Sequence, residues 1–397
     1  MQSRRFFLPA IALLAAATPA AAQSLHIDVP ISELEARARQ DSCDGAAQYN
    51  LAVGYMSQRQ WVKADSALAR ATRMEPQLAV AWLARSIVFD RDEGHWRDLH
   101  RHGDSAATSE EKLRAGFARR AYLTDPLVDL RILGSVSQFS DYSDYYEARY
   151  GSTFRRFEAG VQSGVKGLVE GDYQGAMDGF NLASATWISL GLGRDTMPEW
   201  LLFYRGLAAA HSNQLPAAIT DFTALVDRNV QAEQKDTTRA TPLRTNEYRY
   251  VLAALQQRSA MHDQAVRGYR AVAEADLGNF MAHVQLARIY EADHDWESSI
   301  RERHAAVNTN PDDHSLLYDL GAAQARAGQF QAAEETLIQA RDMQPRYPRT
   351  WLALGVVEQQ LGKSADARTA FTQFIAIAPS RMAPQVADAR NRLAQIQ

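Results

Sequence analysis

The sequence predicts an all-α fold: an α-solenoid of stacked helix–turn–helix units with a capping helix at each end. Three observations carry this reading. Pro311, Pro345 and Pro379 recur at one constant interval. Aligned on these prolines, small residues and large apolar residues fall at matching places in every unit. The same pattern returns near the other end of the chain, closed there by Pro76. Self-similarity at a fixed period of about 34 residues is the signature of a repeat array, which grows by stacking rather than by enlarging one core.

The last unit reads Trp351-x2-Leu354-Gly355, then Ala367-x3-Phe371, then Pro379. The one before reads Leu317-x2-Leu320-Gly321, Ala333-x3-Leu337, Ala340 and Pro345, and before that come Leu286-Ala287-x2-Tyr290, Ala306 and Pro311. Each unit holds two antiparallel helices, A and B, neither of which can bury its apolar stripe alone. Gly321, Ala333 and Ala340 let backbones approach, while Trp351 and Phe371 fill the space between units. Gly328 and Gly362 follow helix A, where a left-handed residue closes the helix. Proline ends helix B, because its ring and missing N–H cannot continue it.

Upstream the register persists through Leu252-Ala253 and Ala265-x3-Tyr269, with Leu277 in the proline slot. Gly206 with Ala218-x3-Phe222 marks a unit beginning near Glu199. Gly171-Asp172-Tyr173 with Ala176-x3-Phe180 marks one beginning near Phe157. Leu51-Ala52-x2-Tyr55, Trp61, Ala64, Ala71 and Pro76 mark the first. This 34-residue helix–turn–helix pattern resembles the tetratricopeptide repeat.

The predicted organisation has a signal peptide over 1–22, an N-terminal segment with a capping helix over 23–44, and two repeats over 45–126. The interval from Pro76 to Pro126 exceeds one repeat by about half, which places an insertion near 93–108. A degenerate unit follows over 127–156, then two repeats over 157–232. The polar stretch 233–245 is predicted as an inserted loop. Four repeats over 246–381 and a capping helix over 382–397 complete the chain. The capping helices are expected over Ile31–Gln40 and Pro384–Ile396.

Export is expected from the first residues. Arg4 and Arg5 precede the apolar run Phe6–Ala16, and Ala20-Ala21-Ala22 suits a cleavage site before Gln23. The run is too short for an ordinary membrane span. Ser3-Arg4-Arg5-Phe6-Phe7-Leu8 resembles the twin-arginine signal, with Pro9 where Lys is usual, and the ordinary secretory route stays open beside it. Cleavage removes two arginines and no acid, so the formal charge goes from −4 to −6. A mildly acidic chain offers no electrostatic footprint for nucleic acid, and no integral membrane segment is expected after cleavage. The single cysteine, Cys43, cannot form an internal disulfide and is expected as an intermolecular partner or a half-buried bystander.

Chemistry is sparse. His95, His100 and His102, with Asp98 and Asp104, form the one metal-ligand candidate, at a spacing that matches no zinc motif. Ser163-x2-Lys166 matches a serine-hydrolase motif formally but lies inside a helix A without the partner motifs. Gly191-x-Gly193 lacks a third glycine and a preceding strand. Tyr142, Tyr145, Tyr146 and Tyr150 recur at helical spacing, as a buried face or a stacking stripe. No cofactor is expected.

The resemblance implies a scaffold that binds a protein or peptide partner along helix A, and no enzyme activity. Family groove positions, carried onto this chain, fall on Tyr49, Phe203, Tyr250, Val284, Tyr318 and Leu352, with Arg91, Arg258, Arg288 and Arg326. Aromatic anchors with arginines suit a peptide bearing carboxylates. Tyr250, Arg258, Arg288, Tyr318 and Arg326 are expected on one continuous surface. Some family members clamp a C-terminal carboxylate with Lys and Asn, and here only Asn50 matches. The alternative function is a metal-binding or hydrolytic accessory built on the His-rich insertion 93–108.

Overall fold

The computed structural model describes residues 29–76, 78, 81, 84, 85, 88, 152–235 and 245–396. Sixteen α-helices are delimited among them. Helix α1 spans Ile31–Gln40. Seven antiparallel pairs follow: α2 (Gly45–Ser57) with α3 (Trp61–Met74), α4 (Ser152–Glu170) with α5 (Tyr173–Ser189), and α6 (Glu199–His211) with α7 (Leu215–Lys235). Next come α8 (Thr245–Arg258) with α9 (His262–Ala275), α10 (Phe280–Ala292) with α11 (Trp296–Thr309), and α12 (His314–Arg326) with α13 (Phe330–Met343). The last pair is α14 (Pro348–Gln360) with α15 (Ser364–Ile377), and α16 (Ala383–Gln395) ends the chain.

The chain divides into two compact units. Among the described residues one takes 152–235 and 245–272, and the other takes 29–76, 78, 81, 84, 85, 88 and 273–396, so the boundary falls within α9. In the first, α4 to α8 pack in chain order. In the second, α10 to α16 stack in chain order, α12 also touches α14, and α1 covers α2. Packing of each element on its sequence neighbours is what a solenoid requires.

The turn between helices A and B shows why the period holds. Its left-handed residue is Arg59, Gly171, Asn213, Ala260, His294, Gly328 and Gly362 in the seven pairs, with φ between 56° and 79°. From Ala260 onward these positions fall at equal intervals. The next N–H turns back to a carbonyl five positions earlier, as in Met261 to Gln256, Asp295 to Tyr290, Gln329 to Gln324 and Lys363 to Glu358, at 2.8–2.9 Å. This is the Schellman closure, which satisfies orphan carbonyls of the last turn. Gly328 and Gly362 hold the expected position, and five units make the same left-handed turn, four of them without glycine.

The prolines also sit as expected, at the second position beyond helix B: Pro76 after Met74, Pro311 after Thr309, Pro345 after Met343 and Pro379 after Ile377. Leu277 takes that slot after Ala275 and is 82% exposed. Packing follows the small–large alternation. A Cβ on Gly321 would lie 2.7 Å from Leu337 Cγ, and one on Gly355 2.7 Å from Phe371 Cδ1. Phe371 and Phe374 are fully buried, and half-buried Trp351 packs against the cores on both sides of it.

Some boundaries differ from expectation. Helix α4 starts at Ser152, ahead of the expected Phe157, because Phe154 and Phe157 stack at 5.6 Å and both are buried. Helix α7 runs through Glu233 to Lys235 and α8 begins at Thr245, so the inserted segment is shorter than 233–245. Thr245 Oγ1 donates to Glu233 Oε1, tying its two ends at 2.5 Å. Cys43 is buried rather than half-buried.

Candidate functional site

Polar side chains knit neighbouring pairs together. Glu291, at the end of α10, accepts from Arg303 on α11 through Nε (2.8 Å) and Nη2 (2.7 Å), and from Ser299 Oγ (3.2 Å). Arg303 Nη1 reaches Asp319 on α12 at 3.2 Å, and Arg326, further along α12, returns to Glu291 at 3.1 Å. Arg303 is enclosed, whereas the Arg326 side chain is 52% exposed. A buried cation held by two carboxylates thus fixes the carboxylate that orients an exposed guanidinium.

Beside it lies an aromatic cluster. Tyr347 packs edge-on to His314 (4.8 Å between centroids) and Tyr318 (5.6 Å). Burial raises the Tyr318 phenol, and raises the Tyr347 phenol well above the usual range. In the following pair, Lys363 binds both Glu334 oxygens, at 2.7 and 2.5 Å. Glu358 is buried with Oε2 unpartnered. Burial chiefly, then Asp366 and Glu334, raise its carboxyl to about 7, against Arg341 and Lys363. In the other unit, Asp221 takes both Arg205 Nε (2.8 Å) and Nη2, and burial still raises its carboxyl.

The 34-residue period, the left-handed residue at each A–B turn and the proline just beyond helix B in four pairs make a pattern that resembles the tetratricopeptide repeat. No protein-family model matches the chain, and no curated protein matches it in sequence. Solved structures resemble it. One is the C-terminal part of a TPR repeat-containing protein from Cytophaga hutchinsonii, at 13% identity, covering 60% of this chain and 87% of that one, with TM-score 0.47. Another is YrrB, a TPR protein described as having an unusual peptide-binding site, at 13% identity, 54% and 100% coverage and TM-score 0.39. A thermophilic TPR protein from Thermus thermophilus is 18% identical, with 50% and 98% coverage and TM-score 0.31. Likeness at this level concerns the fold alone.

The tetratricopeptide groove positions divide by residue type. The apolar ones turn inward. Phe203 is 2% exposed, packed against Tyr204, Phe222 and Tyr248. Tyr250 lies buried on Tyr269 at 5.3 Å, Tyr49 and Val284 are buried, and Leu352 packs half-buried against the Phe371 core. These side chains, fifth in helix A (sixth for Tyr250), sit where helix B or the next pair closes over them. Tyr318 stays half-buried. The arginines remain outside. Arg288 is exposed, Arg326 is held as described, and Arg258 is exposed with Nη2 donating to Ala210 O at 3.3 Å. Tyr250 and Arg258 belong to one compact unit, and Arg288, Tyr318 and Arg326 to the other.

Arg91, His95, His100, His102 and the tyrosines at 142–150 lie outside the described residues. Among the described residues no group of three His, Cys, Asp or Glu side chains could hold a metal ion, and no helix is long and apolar enough to cross a membrane. Sequence reasoning missed Glu291, Arg303 and Asp319. No repeat position marked them: Arg303 lies on helix B, and its carboxylates lie on helix A of its own pair and of the next.

Proposed function

We propose that this tetratricopeptide protein is a non-enzymatic interaction scaffold of the bacterial cell envelope, which binds a protein or peptide partner bearing carboxylates along its helix A face. The observation that carries this reading is the exposed Arg326 guanidinium, held in place by Glu291 within the buried Arg303–Asp319 network. A guanidinium already oriented loses less freedom on pairing with a carboxylate than a free one. Arg288, on the same helix as Glu291 and exposed, offers a second cation within that unit. Envelope location follows from the export signal read in residues 1–22.

Affinity capture with the mature protein from its own envelope extract tests the reading. Arg288→Glu with Arg326→Glu should reduce recovery of the bound partner at least about tenfold, by removing two cations and adding repulsion. Helicity should be unchanged, since Arg288 and Arg326 are exposed and Arg303 still pairs with Glu291 and Asp319. Equal recovery by both proteins would remove the helix A face from the function.

A further inference from the structure

The compact unit that holds both the first and the last repeats carries a contact the repeat pattern does not anticipate. The first repeat is seated on loops between the last repeats, far away in sequence. Arg73 O, an orphan carbonyl at the end of α3, accepts from Gln344 Nε2 at 3.2 Å and pairs with His314 Nε2 at 3.1 Å. Arg346 Nη2 donates to Ser42 Oγ at 2.9 Å. Asp41 accepts from the Ser380 backbone N–H (3.1 Å) and hydroxyl (2.8 Å). Arg381 completes the contact by pairing with Asp44 at 2.9 Å and with Glu75.

The charges on the two sides are opposite. Residues 344–349 and 378–382 contain three arginines and no acid, whereas the first repeat contributes Asp41, Asp44 and Glu75. The cationic side of the contact stays open: the Arg381 side chain is 40% exposed, and Arg346 and Ser380 are exposed, while Asp44 and Glu75 are 9% and 19% exposed. Ion pairs with one partner open to solvent weaken with salt. A neighbouring chain with the same chemistry can reach Arg346, Ser380 and Arg381 from that open side.

We propose that the loop edge carrying Arg346, Ser380 and Arg381 is a docking surface for an acidic protein segment, occupied in cis by the first repeat until a partner's acidic segment displaces it. This surface is separate from the helix A face and stands or falls independently of it.

The probe is a fluorescein-labelled peptide of oligoglutamate, binding the full mature chain at about 0.05 M salt, where charges at this range are little screened. Asp44→Asn with Glu75→Gln vacates the surface, so the peptide should bind at least about tenfold more tightly than to wild type, because the competent state is no longer self-occupied. Adding Arg346→Glu and Arg381→Glu should abolish that binding, whereas Arg288→Glu with Arg326→Glu should not change it. Spin labels at Val62→Cys and Gln339→Cys, both exposed, in a Cys43→Ala background report the contact directly. Wild type should show one narrow distance distribution, broadened in Arg381→Glu and restored in the charge swap Arg381→Glu, Asp44→Arg, Glu75→Arg. Wild type raised to about 1 M salt, free of any substitution in the contact, should show the broadened distribution too. Equal peptide affinity for wild type and the vacated variant, or a distance indifferent to both salt and Arg381→Glu, would overturn the proposal.

Discussion

Glu358→Gln offers the sharpest test of the packing between the last two repeats. Glu358 is 6% exposed on α14, with one carboxylate oxygen unpartnered. Its carboxyl titrates at about 7, against an ordinary 4.5. A raised folded-state value means that the folded chain binds the proton more tightly than the unfolded chain. The resulting stability is fully present below about pH 4.5 and is lost as pH rises to about 7. At about 1.4 kcal/mol per pH unit, ionised Glu358 costs roughly 2–4 kcal/mol above pH 7. Glutamine has the shape of the protonated acid and cannot ionise. Glu358→Gln should therefore match wild type near pH 4.5 and exceed it by roughly 2–3 kcal/mol at pH 8. Urea unfolding followed by circular dichroism, on both proteins across that range, reads the difference. Parallel curves, separated by a constant amount from pH 4.5 to 8, would refute the reasoning.

Other outcomes follow from the repeat geometry. Ala260→Gly and His294→Gly should each raise stability by about 0.5–1 kcal/mol, because a Cβ in left-handed backbone is strained, while Gly328→Ala and Gly362→Ala should lower it comparably. Thermal melts of the four variants decide this. Phe371→Ala should cost about 3–5 kcal/mol, and Trp351→Ala less, because Phe371 is fully enclosed and Trp351 is half-buried. Equal losses in urea unfolding would contradict that ranking. Fractionation with N-terminal sequencing should find the protein outside the cytoplasm, beginning at or near Gln23; full-length protein in the cytosol would contradict export.

The candidate site was legible only in part. Arg258, Arg288 and Arg326 were found by repeat position and lie exposed, because a guanidinium on helix A is costly to bury without a partner. Phe203 and Tyr250 were placed by the same rule and lie buried, because a position number does not say how far the next helix closes over a ring. Arg303 looked like one more helix B cation. Its enclosure depends on Glu291 and Asp319 arriving from two other helices.

The sequence by itself determined the local architecture. Proline just past helix B, the left-handed turn after helix A and glycine opposite phenylalanine all act within a single repeat, so their spacing is visible along the chain. The tertiary structure alone decided that the first repeat meets the last ones. Asp44 and Arg381 are 337 residues apart, and no periodic pattern encodes which loop edge faces which. That choice depends on opposite charges that attract only once the folded repeats have brought them together.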